Sequence, residues 1–232
     1  MENEGNLIII GAGEFAEIAY LYFTRDSPYN VAAFSVEKEY IEKDRLFGLP
    51  VVPFEELEEY YDPEEFKVFV SVTYTKLNRV RTRLYNEVKK KGFRVVSYIS
   101  SKAFVWDNVE IGENCFIFEY NVLQYRVKIG NNVILWSGNQ ICHGTRVQNN
   151  CFIASNTAIS GECVIGENSF LGVNCCLSDH ITIAKDNLIG AGAVVVNDTE
   201  EAGIYVGNPA KRMEKHSLEV VFWSNKRNLN TN

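Results

Sequence analysis

The chain has 232 residues, with 23 lysines and arginines against 30 aspartates and glutamates, and a net charge of −7. This length allows two small domains or one large one, and the negative charge argues against a nucleic-acid partner. The acidic N-terminus is unlike a signal peptide, and the apolar run at residues 7–10 is too short to span a membrane. We therefore expect a cytoplasmic protein with no membrane span.

Residues 1–98 have the pattern of a small α/β domain. The apolar run 7–10 predicts a strand buried on both faces, and helical periodicity follows at 16–22. Between them, Gly11 and Gly13 belong to a G-x-G-x-x-A turn, the context of a dinucleotide-binding fingerprint. The predicted sheet is too short for a complete dinucleotide fold. The turn therefore either binds a nucleotide-linked ligand or serves the fold alone.

Further elements follow this turn in the same unit. Strands are predicted at 31–34, 48–52 and 68–72, and a basic amphipathic helix at 77–91. Ser35 and Thr73 follow two of these strands. We assign Gly11, Gly13, Ser35 and Thr73 to substrate binding, because the carboxyl ends of parallel strands and a glycine-rich turn meet at one edge of a sheet.

Residues 99–198 have a period of six. Every sixth residue from 99 to 195 is a branched aliphatic: Ile99, Val105, Ile111, Ile117, Leu123, Ile129, Leu135, Ile141, Val147, Ile153, Ile159, Ile165, Leu171, Leu177, Ile183, Ile189 and Val195. This period is typical of a hexapeptide parallel β-helix, in which three hexads form one triangular coil. Coils stack about 4.8 Å apart, so residues eighteen apart are vertical neighbours.

The six cysteines do not indicate a metal site, because the chain has no C-x-x-C pair. Four of them (Cys115, Cys151, Cys163 and Cys175) fall at the small inward position of a hexad, where we expect buried, inert thiols. Cys142 adjoins His143, but neighbouring strand residues point to opposite faces. A thiol nucleophile paired with this histidine is therefore not expected.

His143 is predicted at an outward corner of the β-helix, with Gly161 directly above it. A base about 5 Å from a bare backbone amide supplies the two parts needed for acyl transfer. The alternative is an exposed corner histidine with a glycine required by the turn. A metal site would need His143, His180 and His216 to converge, and Asp179 is predicted too far from His143 for a hydrogen bond.

Residues 199–232 are predicted to form a closing loop and a capping tail. Residues 198–201 end the repeat, and 205–211 form a turn that carries a lysine. The apolar residues of the tail, Leu218, Val220, Val221, Phe222 and Trp223, are expected to dock on the β-helix or on another subunit, since the open end of a β-helix needs a cap.

Together, the hexads, the glycine-rich turn and the closing segment 206–211 (VGNPAK) resemble a family. It is that of the left-handed β-helix sugar acetyltransferases with a Rossmann-like N-terminal domain, including UDP-N-acetylbacillosamine, GDP-perosamine and sialic acid acetyltransferases. The resemblance implies an α/β Rossmann-like domain, an all-β left-handed parallel β-helix and a C-terminal capping tail. It also implies a homotrimer with its active sites between subunits.

The resemblance further implies an acetyl-CoA donor, no metal, and a nucleotide-linked sugar acceptor in surface-polysaccharide biosynthesis. His143 matches the family's catalytic histidine, and Gly161 its thioester-polarising amide. The coenzyme-binding positions are Gly161, Gly190, Ala191, Gly192, Gly207, Asn208, Pro209 and Lys211.

This sequence departs from the family at several positions. Gly144 stands where the family often has an acid or a second histidine, so the group that orients the imidazole is open, with Gln140 or a neighbouring subunit as candidates. Phe152 replaces another family histidine. Such changes keep a rival hypothesis open, a non-catalytic trimeric scaffold that retains the fold.

Overall fold

The computed structural model describes residues 4–219, which form an α/β unit followed by a parallel β-helix. The elements of the α/β unit are, in chain order, β1 (Gly5–Ile10), α1 (Glu14–Asp26), β2 (Tyr29–Val36), a 3₁₀ turn (Lys38–Tyr40), β3 (Arg45–Leu46), β4 (Leu49–Pro53), a 3₁₀ turn (Phe54–Glu56), α2 (Leu57–Tyr60), β5 (Phe66–Val70), α3 (Arg79–Lys90) and β6 (Arg94–Val95). The sheet order is β3-β4-β2-β1-β5-β6, and only β3 and β4 pair antiparallel.

The elements predicted for this unit are present, with shifted ends. Residues 7–10 of β1 are buried on both faces, as the continuous apolar run predicts. Helix α1 runs further than predicted because Phe23, in its last turns, is fully buried. Helix α3 starts later than predicted, since Leu77 and Asn78 have left-handed φ values of 49° and 66°.

The β-helix consists of short strands on three faces. Face 1 contains Tyr98–Ile99, Phe116–Ile117, Ile134–Leu135, Phe152–Ile153, Phe170–Leu171, Leu188–Ile189, Ile204–Val206 and Lys211–Arg212. Face 2 contains Phe104–Val105, Val122–Leu123, Gln140–Ile141, Ala158–Ile159, Cys176–Leu177 and Val194–Val195. Face 3 contains Glu110–Ile111, Lys128–Ile129, Arg146–Val147, Val164–Ile165 and Thr182–Ile183.

Strands on each face pair in parallel with the strand eighteen residues further along, for example Gln140 with Ala158 and Cys176. Four-residue corners connect the faces. We call them edge 1–2 (which includes residues 136–139 and 190–193), edge 2–3 (which includes 142–145, 160–163 and 178–181) and edge 3–1 (which includes 130–133 and 148–151). The spacing of vertical neighbours is thus confirmed.

The predicted aliphatics fill the interior, except at the open lower end. Ile141, Ile159 and Leu171 are fully buried, whereas Ile99, at the start of the first coil, is 41% exposed. The four inward cysteines are at most 1% exposed, and burial raises the pKa of the Cys151 thiol to about 12. These thiols are packing residues, as the hexad position predicts.

The α/β unit sits on face 1. Outward aromatic residues of that face, including Phe116 and Phe152, share one core cluster with Phe15, Phe23 and Phe69. At edge 3–1 an asparagine ladder continues the contact: the Asn114 amide donates to Asn132 over 2.7 Å, and the Asn132 amide donates to Asn150 over 2.8 Å. The two units therefore share a core.

The closing segment differs from the prediction, because Ile204–Val206 adds a further parallel strand to face 1 beside Leu188–Ile189. The Asn208–Pro209 peptide bond is cis. Of the predicted docking residues, Leu218 is 58% exposed, and those from 220 onward lie outside the described residues. Within residues 4–219, no helix has the length and hydrophobicity needed to cross a membrane.

Candidate active site

Edge 2–3 brings His143 and Gly161 together. An ideal Cβ on Gly161 would lie 2.5 Å from Cε1 and 2.6 Å from Nε2 of His143, so the imidazole covers the face of the glycine where a side chain would stand. Gly161 is not among the residues with positive φ. The space that the ring needs, rather than a special backbone conformation, therefore accounts for the glycine.

The Gly161 amide is not bare, which corrects the expectation from the sequence. Its N–H donates a hydrogen bond to Asp179 Oδ1, 2.9 Å away and one coil higher. Asp179 is exposed, and a hydrogen bond to a charged acceptor contributes about 1.5–3 kcal/mol, so a ligand that takes this amide must displace the carboxylate. Within the described residues, no ion pair joins Asp179 to His143, in keeping with their predicted separation.

The third position of this edge holds a carboxylate that sequence reasoning missed. Arg126, Gly144, Glu162 and His180 stack eighteen residues apart, each with φ between 55° and 69°. The Glu162 carboxylate occupies the space in which a side chain of residue 144 would lie. The spacing rule that paired His143 with Gly161 would also have paired Gly144 with Glu162.

Other predicted groups of the edge have backbone or packing roles. The His143 N–H donates to Gln124 Oε1 over 3.2 Å, whereas Gln140 lies on face 2, exposed. Burial, and then the charge of Asp179, raises the pKa of Cys142. Residues 4–219 contain no cluster of three or more histidine, cysteine or acidic side chains that could hold a metal ion, so His143, His180 and His216 do not converge.

A second candidate feature is a cavity of about 970 Å³ at the carboxyl ends of β1 and β5. Gly11, Gly13 and Thr73 line it, as the sequence predicts for a substrate site. Ser35 does not line it. Ser35 is fully buried, and its carbonyl accepts the Gly11 N–H over 2.6 Å.

Two buried polar atoms of the cavity wall have no hydrogen-bond partner in the described part of the chain. They are the Ser71 hydroxyl and Trp136 Nε1. Trp136 comes from edge 1–2 and stacks on Phe118 with ring centroids 4.5 Å apart. Both atoms have almost no accessible surface, so they are turned away from the open part of the cavity.

The cavity wall also carries mixed charge. Arg79 pairs with Asp186, and Arg83 lies 2.9 Å from Glu37. Lys76 forms no ion pair with any described residue, and its φ of 50° places it in a left-handed turn beside the cavity. A free ammonium and the N-terminus of α1 at Gly13 are both suited to an anionic ligand.

The two segments predicted to bind the coenzyme, residues 190–192 and 207–211, lie together at edge 1–2 and the upper end of the β-helix. The Gly207 carbonyl accepts the Val194 N–H over 2.9 Å, and an ideal Cβ on Gly190 would lie 2.8 Å from Val206 Cγ1. Among the predicted contacts, Ala191, Gly192, Gly207, Asn208, Pro209 and Lys211 are exposed. Both segments therefore present accessible backbone and one free-standing lysine.

The two halves of the candidate site are on opposite sides of one chain. The α/β unit and its cavity cover face 1, while His143 stands on edge 2–3, the edge that face 1 does not share. The coenzyme segments at edge 1–2 are likewise separated from His143 by face 2. Within one chain these parts therefore lie on different faces and edges of the β-helix.

Comparison with known proteins agrees with this architecture. Residues 126–161, which include His143 and Gly161, match the family model described as bacterial transferase hexapeptide (six repeats). A search of curated protein sequences gives no significant match.

Among solved structures, a mutant of perosamine N-acetyltransferase from Caulobacter crescentus, in complex with CoA and GDP-perosamine, is similar with a TM-score of 0.81 and 27% identity, over 91% of this chain and 98% of that one. The acetyltransferase domain of PglB from Neisseria gonorrhoeae FA1090 also has a TM-score of 0.81, at 25% identity, over 90% of this chain and 99% of that one. WeeI from Acinetobacter baumannii AYE shares the fold, with a TM-score of 0.77 at 21% identity, over 89% of this chain and 99% of that one.

The β-helix is left-handed, as in the sugar acetyltransferases that the chain resembles, and the N-terminal unit is the α/β domain that precedes it in them. The chain is an enzyme, an acyltransferase of the hexapeptide-repeat type.

Proposed function

We propose that the protein is an acetyl-CoA-dependent acetyltransferase acting on an amino or hydroxyl group of a nucleotide-linked sugar in surface-polysaccharide biosynthesis, with His143 as general base. The observation that carries this proposal is the imidazole of His143 covering Gly161 on an exposed edge. The similarity to a perosamine N-acetyltransferase bound to CoA and GDP-perosamine favours an amino group as the acyl acceptor.

In the proposed reaction, the thioester carbonyl of acetyl-CoA accepts the Gly161 N–H in place of Asp179. The neutral acceptor amine attacks the carbonyl carbon while His143 takes one of its protons. The tetrahedral oxyanion is stabilised by the amide. Collapse then breaks the carbon–sulfur bond, and the imidazolium returns its proton to the CoA thiolate. No covalent enzyme intermediate is formed.

The cavity of the α/β unit is proposed to hold the acceptor. Its volume of about 970 Å³ falls at the upper end of the range for small-molecule sites, which suits a nucleotide-linked sugar. The diphosphate would lie near Lys76 and the Gly13 turn. Gly161, Gly190 to Gly192 and Gly207 to Lys211 would contact acetyl-CoA.

The placement of these parts on different sides of one chain supports a homotrimer. Stacked β-helices of a cyclic trimer can bring edge 2–3 of one subunit against the α/β unit and edge 1–2 of the next. Each active site would then combine His143 of one copy with the cavity and coenzyme segments of another. This arrangement would bring His143, the cavity and the coenzyme segments together around one pair of substrates.

Steady-state kinetics of His143→Ala test the proposal. The probes are acetyl-CoA and a set of GDP-, UDP- and dTDP-linked 4-amino-4,6-dideoxyhexoses that includes GDP-perosamine, with release of the CoA thiol as the readout. We expect the wild-type protein to use at least one probe, and the variant to lose about 10²- to 10⁴-fold in kcat. Near wild-type transfer by the variant would reject His143 as the base.

The occupied Gly161 amide is a structural observation that favours the rival, a non-catalytic trimeric scaffold. Thermal-shift titration with acetyl-CoA separates the two, because a ligand that binds only the native state raises its melting temperature. The acetyltransferase should be stabilised in a concentration-dependent way. A scaffold without a donor site would show no shift at any concentration.

A further inference from the structure

The Gly161 N–H is an amide that the stacking of coils leaves without a backbone partner. On one side of it, the Ser160 N–H donates to the Leu177 carbonyl over 3.2 Å. On the other side, the Glu162 N–H donates to the His143 carbonyl over 2.8 Å. Among residues 4–219, no backbone carbonyl accepts the Gly161 N–H. The corner therefore offers one amide that either a side chain or a ligand can bind.

The equivalent amide of other corners, two residues after an inward aliphatic, binds a neutral side chain. An asparagine or glutamine oxygen of the adjacent coil accepts the N–H of Glu113, Asn131, His143 and Glu167. The Ser101 N–H donates to a carboxylate, Asp26, where α1 contacts the β-helix. Among the described residues of edge 2–3, only Gly161 has a carboxylate at this position, and that carboxylate is Asp179.

The charge of Asp179 is not required by the fold. Asparagine or glutamine satisfies the same N–H at the corners named above, and a carboxylate binds an amide more strongly than these neutral acceptors do. Asp179 is exposed and forms no ion pair with any residue in 4–219. Its oxygen carries negative charge at the position where the proposed reaction develops an oxyanion.

We infer that Asp179 is an internal competitor of the acetyl donor, a latch that occupies the Gly161 amide until the thioester carbonyl of acetyl-CoA replaces it. The inference rests on the proposed function, in which this amide binds that carbonyl. The exchange breaks one hydrogen bond and forms another, with no covalent step. The displaced carboxylate turns toward water, which it can do because Asp179 is exposed.

This latch distinguishes the donor from the product that it becomes. Acetyl-CoA binds the Gly161 amide only by displacing Asp179, whereas free CoA has no thioester carbonyl and leaves the carboxylate in place. The contact therefore weakens the binding of acetyl-CoA and not that of CoA. Simple repulsion between the carboxylate and the phosphates of the coenzyme would weaken the binding of both.

Isothermal titration calorimetry with acetyl-CoA and with CoA, in the absence of an acceptor, tests the latch. Asp179→Asn keeps the size of the side chain and an oxygen that can accept the N–H, but removes the charge. We expect its Kd for acetyl-CoA to fall about three- to tenfold, because the bond to a neutral acceptor is weaker. Its Kd for CoA should stay within about twofold. Asp179→Ala should lower the Kd for acetyl-CoA at least as far.

Asp198→Asn is the matched control. Asp198 is also exposed, lies in the next coil after face 2, and accepts the Thr182 N–H over 2.7 Å. Its substitution removes the same charge from a different amide and should change neither Kd. Thermal melts of each variant confirm that it is folded.

Equal changes in the Kd values for acetyl-CoA and CoA would overturn the latch in favour of simple repulsion. Unchanged Kd values in folded Asp179→Asn and Asp179→Ala would reduce Asp179 to a structural cap. Both results leave the proposed function in place. If the wild-type protein and both variants bind neither ligand, the proposed function fails, and the latch fails with it.

Discussion

At the scale of single residues, the contact between His143 and Gly161 leaves no room for one methyl group. A Cβ at 161 would lie 2.5 Å from the ring, so Gly161→Ala must push the exposed imidazole aside. We expect a folded protein whose kcat is about 10- to 100-fold lower, because a base displaced by about an ångström loses its alignment. Steady-state kinetics check this, with Ser160→Ala as the neighbouring control. Unchanged kcat for Gly161→Ala would show that the ring position is irrelevant to the reaction.

The pairing of His143 with Gly161 was predictable because coil stacking fixes the spacing of vertical neighbours at eighteen residues. The hydrogen bond from the Gly161 N–H to Asp179 was not predictable, since it depends on the conformation of an exposed carboxylate side chain. Glu162 was missed for a simpler reason: the spacing rule was applied to the histidine and not to the glycine beside it. Ser35 was assigned from its place at a strand end, which does not reveal whether a side chain faces the ligand or the core.

At the scale of elements, α3 is joined to the β-helix through one buried arginine. The Arg81 guanidinium is fully buried and donates to the carbonyls of Thr73, Asn132 and Cys151. Removal from water lowers the pKa of Arg81 to about 9. The carbonyls of three separate segments are thus satisfied by one side chain, which ties the cavity loop at Thr73 to edge 3–1.

Arg81→Ala should therefore destabilise the protein by about 3–5 kcal/mol, because it leaves buried carbonyls unpaired and opens a cavity. Urea denaturation monitored by far-UV circular dichroism measures the change. Arg83→Ala, on the same helix but exposed and paired with Glu37 and Glu87, should cost about 1 kcal/mol or less. Equal losses of unfolding free energy in the two variants would contradict the role of Arg81 in joining α3 to the β-helix.

Edge 1–2 contributes to the cavity through Trp136, whose Nε1 has no partner in the described chain. Trp136→Phe keeps ring packing on Phe118 and removes the donor. We expect the melting temperature to be kept or to rise, because an unsatisfied buried donor disappears. A clearly lower melting temperature would contradict the absence of a partner for this atom.

The repeated elements were predictable because a period of six residues is typical of one fold, the parallel β-helix. Four strands of the α/β unit were located within about two residues by their apolar runs, whereas β3 and β6, of two residues each, were not predicted. The interface between the units was not predictable. In the sequence, the asparagines are typical of turns, and Arg81 is one of several cations on a basic helix. Their shared buried interface exists only once the α/β unit packs against the β-helix.

At the scale of the whole molecule, the cavity and edge 2–3, which carries His143, lie on different sides of one chain. This follows from the topology, since face 1 carries the α/β unit and edge 2–3 lies opposite it. In the proposed function, one copy's edge 2–3 lies beside another copy's cavity. The proposed homotrimer does so three times per molecule.

Subunit mixing tests this account most directly. Gly13→Phe fills the cavity of a subunit whose His143 is intact, because open space surrounds a Cβ at Gly13, and His143→Ala leaves the cavity intact. Each variant alone should be inactive. After co-refolding in equal amounts, sites shared between subunits predict recovery of about a quarter of wild-type activity, measured as CoA release with acetyl-CoA and the best acceptor probe. No recovery, with mixed trimers shown by mass spectrometry, would contradict an active site built from two copies around His143.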